Sequence, residues 1–382
     1  MRQLPVLLGV VLLALAAVAP AAGVAAAPAG DTQHSAADAQ ELECSFPVTM
    51  TDASGHEVTV EEEPQRVVTL NPSAAQTMWE IGARDKVVGV SQFAGFLEGA
   101  ESREVVTSGF PSQVNTEKVI DLNPDLVLAP NTIDNETVQQ LRGANVTVYR
   151  FAMAAFIEDV YNKTETIGKL SGACEGAAET VSAMRDRVQT IEQAVEGEEK
   201  PSVFYDLGDR FTAGPNTFIG QVIERAGGAN IAANANTSRP YPQLSEEFIV
   251  QQDPEFVVVS VPPAQLGNDP RSYIGNDSVV RNTTAWEEGN IVVVDTNHLN
   301  QPAPRIVEPM TEMAKAFHPE AYAEANTTTT AATTEATTAA TTEATTAAPT
   351  TTESGDTGTT IPGFGVTTAV VALLGAVLFA RR

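Results

Sequence analysis

One short pattern occurs twice in this chain, and the duplication constrains the fold more than any other feature. Asn115 to Ala129 reads NTEKVIDLNPDLVLA, and Ser245 to Ser260 reads SEEFIVQQDPEFVVVS. Glu117 matches Glu247, Pro124 matches Pro254 and Asp125 matches Glu255, each pair 130 residues apart. In both copies a polar residue opens a short helical stretch, a proline stops it, and an apolar strand-like run follows. Asn, Thr and Ser suit the opening because their side-chain oxygens accept first-turn N–H groups, and proline cannot continue a helix. A period this long exceeds any solenoid unit, so the expectation is two similar lobes, each presenting one glutamate from an equivalent position.

The sequence around the two copies supports that division. RVVTL (Arg66 to Leu70) reads as a strand, Asn71 caps a helix whose first position is Pro72, and Gly82 ends it before the strand KVVGV. The first copy then supplies a helix and the strand DLVLA, Glu136 to Arg142 is helical, and VTVYR is another strand. Strands alternating with helices predict an α/β lobe with a mainly parallel sheet. From Ile157 to Val195 the pattern is helical with few breakers apart from Gly172 and Gly176, longer than any crossover within a lobe. The alternation resumes at SVFYDLG, with a helix at Phe218 to Ala226, the second copy, the strand IVVVD and a last helix from Arg305 to Phe317. The expected fold is therefore two Rossmann-like α/β lobes joined by one long connecting helix. The expected boundaries are 46–155 for the N-terminal lobe, 156–198 for the connector and 199–325 for the C-terminal lobe.

The flanking segments point to export. Residues 1–27 place Arg2 before an apolar run from Leu4 to Val18 and then small residues, the pattern of a secretory signal peptide, with 28–45 as a tether. Residues 326–360 are nearly all Thr and Ala with occasional Glu, which leaves almost nothing to bury and predicts a disordered stalk. Residues 361–382 contain Pro362-Gly363-Phe364, an apolar stretch and the terminal pair Arg381-Arg382, and resemble the PGF-CTERM sorting signal of archaeal surface proteins. That resemblance implies a C-terminal anchor, with a lipid replacing the apolar segment, and a protein on the extracellular face of the membrane. Seven N-x-S/T sequons, at Asn135, Asn145, Asn162, Asn236, Asn276, Asn282 and Asn326, are glycosylation candidates in an exported chain. The two cysteines, Cys44 and Cys174, are expected to form a disulfide there, two separate buried thiols being the other arrangement.

A net charge of −27 argues against nucleic acid, whose phosphates require clustered Lys and Arg. Acidic residues are spread along the chain and only six of the 22 basic residues are Lys, a surface like those of proteins from high-salt cells. Ligands of open α/β sheets bind beyond the carboxyl ends of the strands, so the segments after each strand are the candidate rim. Phe93 and Phe96 follow KVVGV, Phe110 precedes the first copy, and Pro130 follows DLVLA. Phe211 follows SVFYDLG, Tyr241 sits in SRPYPQLSEE, and Asn297, His298 and Gln301 follow IVVVD. No catalytic constellation is apparent, and the spacing around His298 is not that of a metal site.

The stretch from Phe46 to Ala325 resembles the helical-backbone class of ABC-transporter solute-binding proteins. The motifs RVVTLNPSAAQTMWEIG, NTEKVIDLNPDLVLAP, FTAGPNTFIGQVIERAGGANIA, RPYPQLSEEFIVQQDPE and HLNQPAPRI carry the resemblance in order along the chain. It is nearest to the cobalamin-binding proteins, with iron-siderophore and heme binders close behind. The resemblance implies that Phe93, Phe211 and Tyr241 line a corrinoid pocket between the lobes. Asn297 and Gln301 stand where those proteins carry an acid and a base. It also implies that Glu117 and Glu247 dock onto arginines of the two permease subunits, whereas a purely local reading makes both glutamates first-turn acids favouring the helix dipole. The expected protein is a monomeric, non-enzymatic, surface-anchored binder that delivers a metal-chelate ligand, a corrinoid first, to an ABC importer. A surface-layer or adhesion module and a nitrogenase-like surface metallo-enzyme are the readings from other classes.

Overall fold

The computed structural model describes residues 44–327, which divide into two compact units: 44–153 with 160–182, and 154–159 with 183–327. The expected signal peptide, the stalk beyond Thr327, the sorting signal and nearly all of the tether lie outside the described residues.

The first unit opens with an antiparallel hairpin of β1 (Val48–Thr51) and β2 (Glu57–Val60), which the sequence reading did not anticipate. Alternation in EVTV buries Val58 and Val60 and leaves Glu57 and Thr59 in solvent. In chain order there follow β3 (Val67–Thr69), α1 (Pro72–Glu80), β4 (Val87–Val90), β5 (Glu104–Val105), and a second hairpin of β6 (Thr107–Ser108) and β7 (Gln113–Val114). Next come α2 (Thr116–Asp121), β8 (Leu126–Ala129), α3 (Asn135–Gly143) and β9 (Val148–Arg150). The larger sheet is wholly parallel in the order β5-β4-β3-β8-β9. Successive strand side chains point to opposite faces, and the unit uses both. Val67, Leu126 and Leu128 join the core with Met78 of α1 and the hairpin residues Val58 and Val60. Val68, Val127 and Ala129 join Val119 of α2 and Leu141 of α3. Helices therefore cover both faces, which is why the strands read as continuous apolar runs.

The segment expected to be one connecting helix is two, α4 (Ile157–Ser171) and α5 (Cys174–Val195). Gly172 causes the break: its φ of +78° is left-handed, the conformation that ends helices, and the Ala173 N–H folds back to the Gly168 carbonyl. Gly176 does not break a helix; it lies so close to the Ile81 carbonyl that a Cβ would sit 2.2 Å from that oxygen. α5 contributes residues to both units, and a disulfide joins Cys174 at its start to Cys44.

The second unit contains β10 (Ser202–Asp206), α6 (Phe218–Arg225), β11 (Ala229–Asn230), α7 (Glu246–Gln252), β12 (Phe256–Val261), α8 (Thr284–Glu288), β13 (Ile291–Asp295), α9 (Thr296–Leu299) and α10 (Val307–Phe317), then a helix over 319–327. Its sheet is wholly parallel in the order β11-β10-β12-β13. Phe204, Val257, Val259 and Ile291 form one core with Ile249 of α7 and Ala285 of α8.

The two sequence copies adopt one conformation. Asn115 accepts from the Lys118 N–H and Ser245 from the Phe248 N–H, so each caps its helix at the third position. Asn123 and Asp253, the residues before the matched prolines, both take left-handed φ values, 45° and 40°. Asp125 then accepts from the backbone N–H groups of Gln65 and Arg66, at 2.8 and 2.9 Å, beside the start of β3. Glu255 accepts from the N–H and hydroxyl of Ser202, at 2.8 and 3.1 Å, at the start of β10. The matched acids, conspicuous in the sequence only by position, fasten the neighbouring strand.

Candidate functional site

In the first unit the rim forms where β4 ends. Phe93 lies in a tight turn, Gln92–Ala94, and is 44% exposed. The Gln92 N–H donates to Thr107 Oγ1 at 3.0 Å and its side-chain Nε2 donates to the Gly109 carbonyl at 2.6 Å. These bonds tie the Phe93 turn to the β6–β7 hairpin, whose tip displays Phe110 at 94% exposure. The structure thus brings Phe93 and Phe110 to one edge. Phe96 packs against the core beside α1 and Pro130 is buried at the end of β8, so neither belongs to that exposed edge.

In the second unit the rim forms after β10. Asp209 and Arg210 take left-handed φ values of 48° and 65°, and the Leu207 N–H closes the turn onto the Phe211 carbonyl at 2.9 Å. Phe211 pairs with Gln243 in an antiparallel bridge, and the N–H groups of Thr212 and Gly214 donate to the carbonyls of Pro242 and Pro240. This lays the RPYPQ segment along the turn, with Phe211 42% and Tyr241 48% exposed. Partial burial raises the Tyr241 phenol above its usual pKa. Leu207, 40% exposed on the same turn, was not among the sequence candidates; as the apolar residue between Asp206 and Gly208 it read as the end of a strand.

The loop after β13 is polar and tightly held. Asp295 caps α9 by accepting from the Asn297 N–H at 2.7 Å. His298 Nδ1 stands 2.9 Å from Glu308 Oε2, and its Nε2 lies 3.8 Å from Asp295 Oδ2. The hydrogen bond to His298 lowers the Glu308 pKa despite burial, while burial and the Glu308 charge raise that of Glu312. His298 is thus tied to the Glu308 carboxylate through Nδ1, with Asp295 close to its other nitrogen. Among the described residues no three His, Cys, Asp or Glu side chains are arranged to hold a metal ion. The Gln301 Oε1 is buried without a hydrogen-bond partner among the described residues. Beneath this loop, Tyr205 donates to Asn300 Oδ1 and accepts from the Ser260 hydroxyl, both at 2.9 Å, and burial pushes its phenol up to about 12.

Glu117 and Glu247 each occupy the second position of their helices and both are exposed. The capping is done by Asn115 and Ser245, so the glutamate side chains are not needed for it. All seven sequon asparagines are exposed.

Residues 67–298 match the periplasmic binding protein family, and residues 361–382 match the PGF-CTERM motif. The chain belongs to the periplasmic binding protein family. A protein of Halobacterium salinarum called cobalamin-binding protein is 56% identical over 374 residues, 97% of this chain and 98% of that one. The vitamin B12-binding protein of Vibrio parahaemolyticus is 25% identical over 68% of this chain and 92% of its own length. Among solved structures, the periplasmic vitamin B12 binding protein BtuF of Vibrio cholerae matches with a TM-score of 0.56 at 22% identity, covering 67% of this chain and 97% of that one. The heme binding protein HmuT matches with a TM-score of 0.59 at 20% identity, covering 72% and 91%. These two structures share the two-lobed α/β fold. As a member of this family, with the C-terminal motif, the chain is an extracytoplasmic solute-binding protein of an ABC importer, anchored to the membrane at its C-terminus on the cell surface. Among the described residues no helix is long and apolar enough to cross a membrane, and the anchor motif lies outside them.

Proposed function

We propose that the chain captures a corrinoid and delivers it to an ABC importer. One observation carries the ligand: the relative named cobalamin-binding protein is 56% identical over nearly the whole of both chains. The rims agree with it chemically. A corrinoid is a large ring system with apolar faces edged by amide groups. Phe93 and Phe110 on one unit and Phe211 and Tyr241 on the other offer exposed aromatic surface, which gains most from large planar ligands. Asn297 and Gln301 are neutral amides, and the unpartnered Gln301 Oε1 is an acceptor for a ligand N–H, since a buried polar atom is costly until it is bonded. Glu117 and Glu247 are the contacts to the two permease subunits in this reading. A lipid at the C-terminus, occupied sequons, a monomeric state and a high-salt habitat complete it.

Ferric siderophores and heme are the second ligand class, since the fold is shared with heme binding proteins. Titration of the protein with cyanocobalamin, a ferric hydroxamate siderophore and heme in molar KCl separates them. The expected result is submicromolar binding of cyanocobalamin alone. Phe211→Ala and Tyr241→Ala each weaken it by roughly tenfold, the scale of a truncated aromatic contact. Binding of none of the three tighter than micromolar would sink the corrinoid reading.

A further inference from the structure

All seven sequon asparagines are exposed, so exposure does not choose among them; the backbone around each and the state of its hydroxyl do. Joining a sugar to an asparagine needs more than access. The Nδ2 amide attacks the sugar C1 of a lipid-linked oligosaccharide. The N–C bond forms, the bond from C1 to the lipid phosphate breaks with its electron pair going to the phosphate, and the amide proton is lost to water. The amide nitrogen is a poor nucleophile because its lone pair is delocalised as in a peptide bond. The hydroxyl two residues on, which the sequon specifies, therefore has to reach that side chain. Extended backbone puts side chains i and i+2 on one face, whereas a helix separates them by about 200°.

Three sites fail on both counts. Asn162 lies within α4, where Thr164 is fully buried and its hydroxyl donates to the Val160 carbonyl at 2.8 Å. Asn135 is the first residue of α3, and the Thr137 hydroxyl donates to Asp134 Oδ2 at 2.9 Å. Asn282 ends a helical turn over 279–282, and the Thr284 hydroxyl donates to Asp253 Oδ2 at 2.9 Å. Three other sites meet both. Asn145 follows α3 with a left-handed φ of 62°, outside helix and strand. Asn236 lies in a bend and Asn276 in a turn. Among the described residues the hydroxyls of Thr147 and Ser238 make no hydrogen bond, and Ser278 accepts one from the Val280 N–H but donates none. Asn276 is engaged at its oxygen, by Arg281 Nη2 at 3.1 Å, and not at its nitrogen. The seventh sequon stands apart, since Asn326 is in the helix over 319–327 and its Thr328 lies outside the described residues.

We infer that Asn145, Asn236 and Asn276 are the N-glycosylation sites of the two units, and that the sugar is transferred after the chain has folded outside the cell. On an unfolded chain all these sequons are equivalent, and the fold alone closes Asn135, Asn162 and Asn282. Loops and turns also let a bulky glycan extend into solvent without displacing packed structure. The inference deepens the reading of an exported protein with occupied sequons and rests on that part of it, not on the ligand.

The test takes the protein purified from its own cells, cleaves it and weighs the fragments by mass spectrometry with their glycans attached. The expected result is glycan on the fragments carrying Asn145, Asn236 and Asn276, and unmodified Asn135, Asn162 and Asn282. Glycan on any of the last three, or its absence from any of the first three, would overturn the proposal. A second measurement uses variants made in the same cells. Thr147→Ala, Asn236→Gln and Asn276→Gln are each expected to lower the mass of the whole protein by one glycan, and the triple variant by three. Changing Thr147 spares Asn145, whose left-handed φ suits asparagine better than glutamine. Asn162→Gln is expected to cost no glycan; loss of one there would show that the sugar is added before α4 forms and would overturn the proposal. The weighing needs neither ligand nor importer, so a protein that binds no cyanocobalamin still decides it. A chain bearing no glycan at all would refute this inference and leave the corrinoid reading as it stands.

Discussion

In the first unit Asp125 fastens the start of β3 and in the second Glu255 fastens the start of β10, yet the two units are reinforced very differently around that common frame. The first carries the Cys44–Cys174 disulfide, which closes a separation of 130 residues, and the β1–β2 hairpin. The hairpin is locked by Asp52, whose fully buried carboxylate accepts from Ser54 N and Oγ, His56 N, Arg150 N and, at 2.5 Å, Arg142 Nη2. The second unit has no counterpart of either among the described residues. It relies instead on short turns over 263–282, with the guanidinium groups of Arg271 and Arg281 lying over the Trp286 ring at 5.0 and 4.1 Å. Duplicated units thus keep the parts that set strand register and helix entry, and vary the parts that only add stability or display ligand contacts.

That contrast breaks first, and by the largest margin, at the disulfide. Cys44→Ala with Cys174→Ala is expected to cost about 4–5 kcal/mol, the chain-entropy value for so long a loop. Hydrogen exchange should show the lost protection within residues 44–182; equal loss in the second unit would mean that the reinforcement is not local.

Arg142→Met comes next, at about 3 kcal/mol by chemical denaturation, because it leaves the Asp52 charge buried with one donor fewer. Asp52 also predicts a pH dependence. Burial pushes its carboxyl up, but the bonds from Ser54, Arg142 and His56 outweigh burial and hold it at about 2. A depressed acid contributes stability that is fully present above its unfolded value near 3.8 and lost as pH falls through about 2. The loss is about 2 kcal/mol, and Asp52→Asn should abolish that part of the acid titration.

The smallest effect tests the likeness instead of the difference. Asp125→Ala and Glu255→Ala should each cost about 1 kcal/mol and match one another within a few tenths, as two exposed carboxylates performing the same task. Unequal losses would show that the equivalence is geometric only.

Much of the frame was legible from residues alone. Asn71 before Pro72 marked the start of α1, Gly82 its end, and the apolar runs VVT, LVLA, VFY and IVVV marked buried parallel strands. The connector was misread because Gly172 inside a helical pattern is tolerated as often as it breaks one, and only its left-handed φ distinguishes the two outcomes. The β6–β7 hairpin is not legible in the sequence because its strands are two residues long, too short for a period to show. Among the candidate rim residues, position after a strand found Phe93, Phe110, Phe211 and Tyr241 as exposed groups, but it also selected Phe96, which packs on the core, and Pro130, which is buried. Exposure in a loop depends on which way the chain turns, and in the Phe93 and Phe110 loops that is decided by bonds such as Gln92 to Gly109 between segments distant in sequence.

The sequence by itself determined the duplication, the parallel α/β class and the matched positions of Glu117 and Glu247, because capping, proline stops and strand periodicity are local properties written in adjacent residues. Tertiary structure alone decided that Asp125 and Glu255 fasten neighbouring strands, that His298 is held between Asp295 and Glu308, and that Ile120 and Val250 face outward. Each of those outcomes depends on which surfaces the rest of the chain covers, and burial is a property of the whole fold that no short window contains.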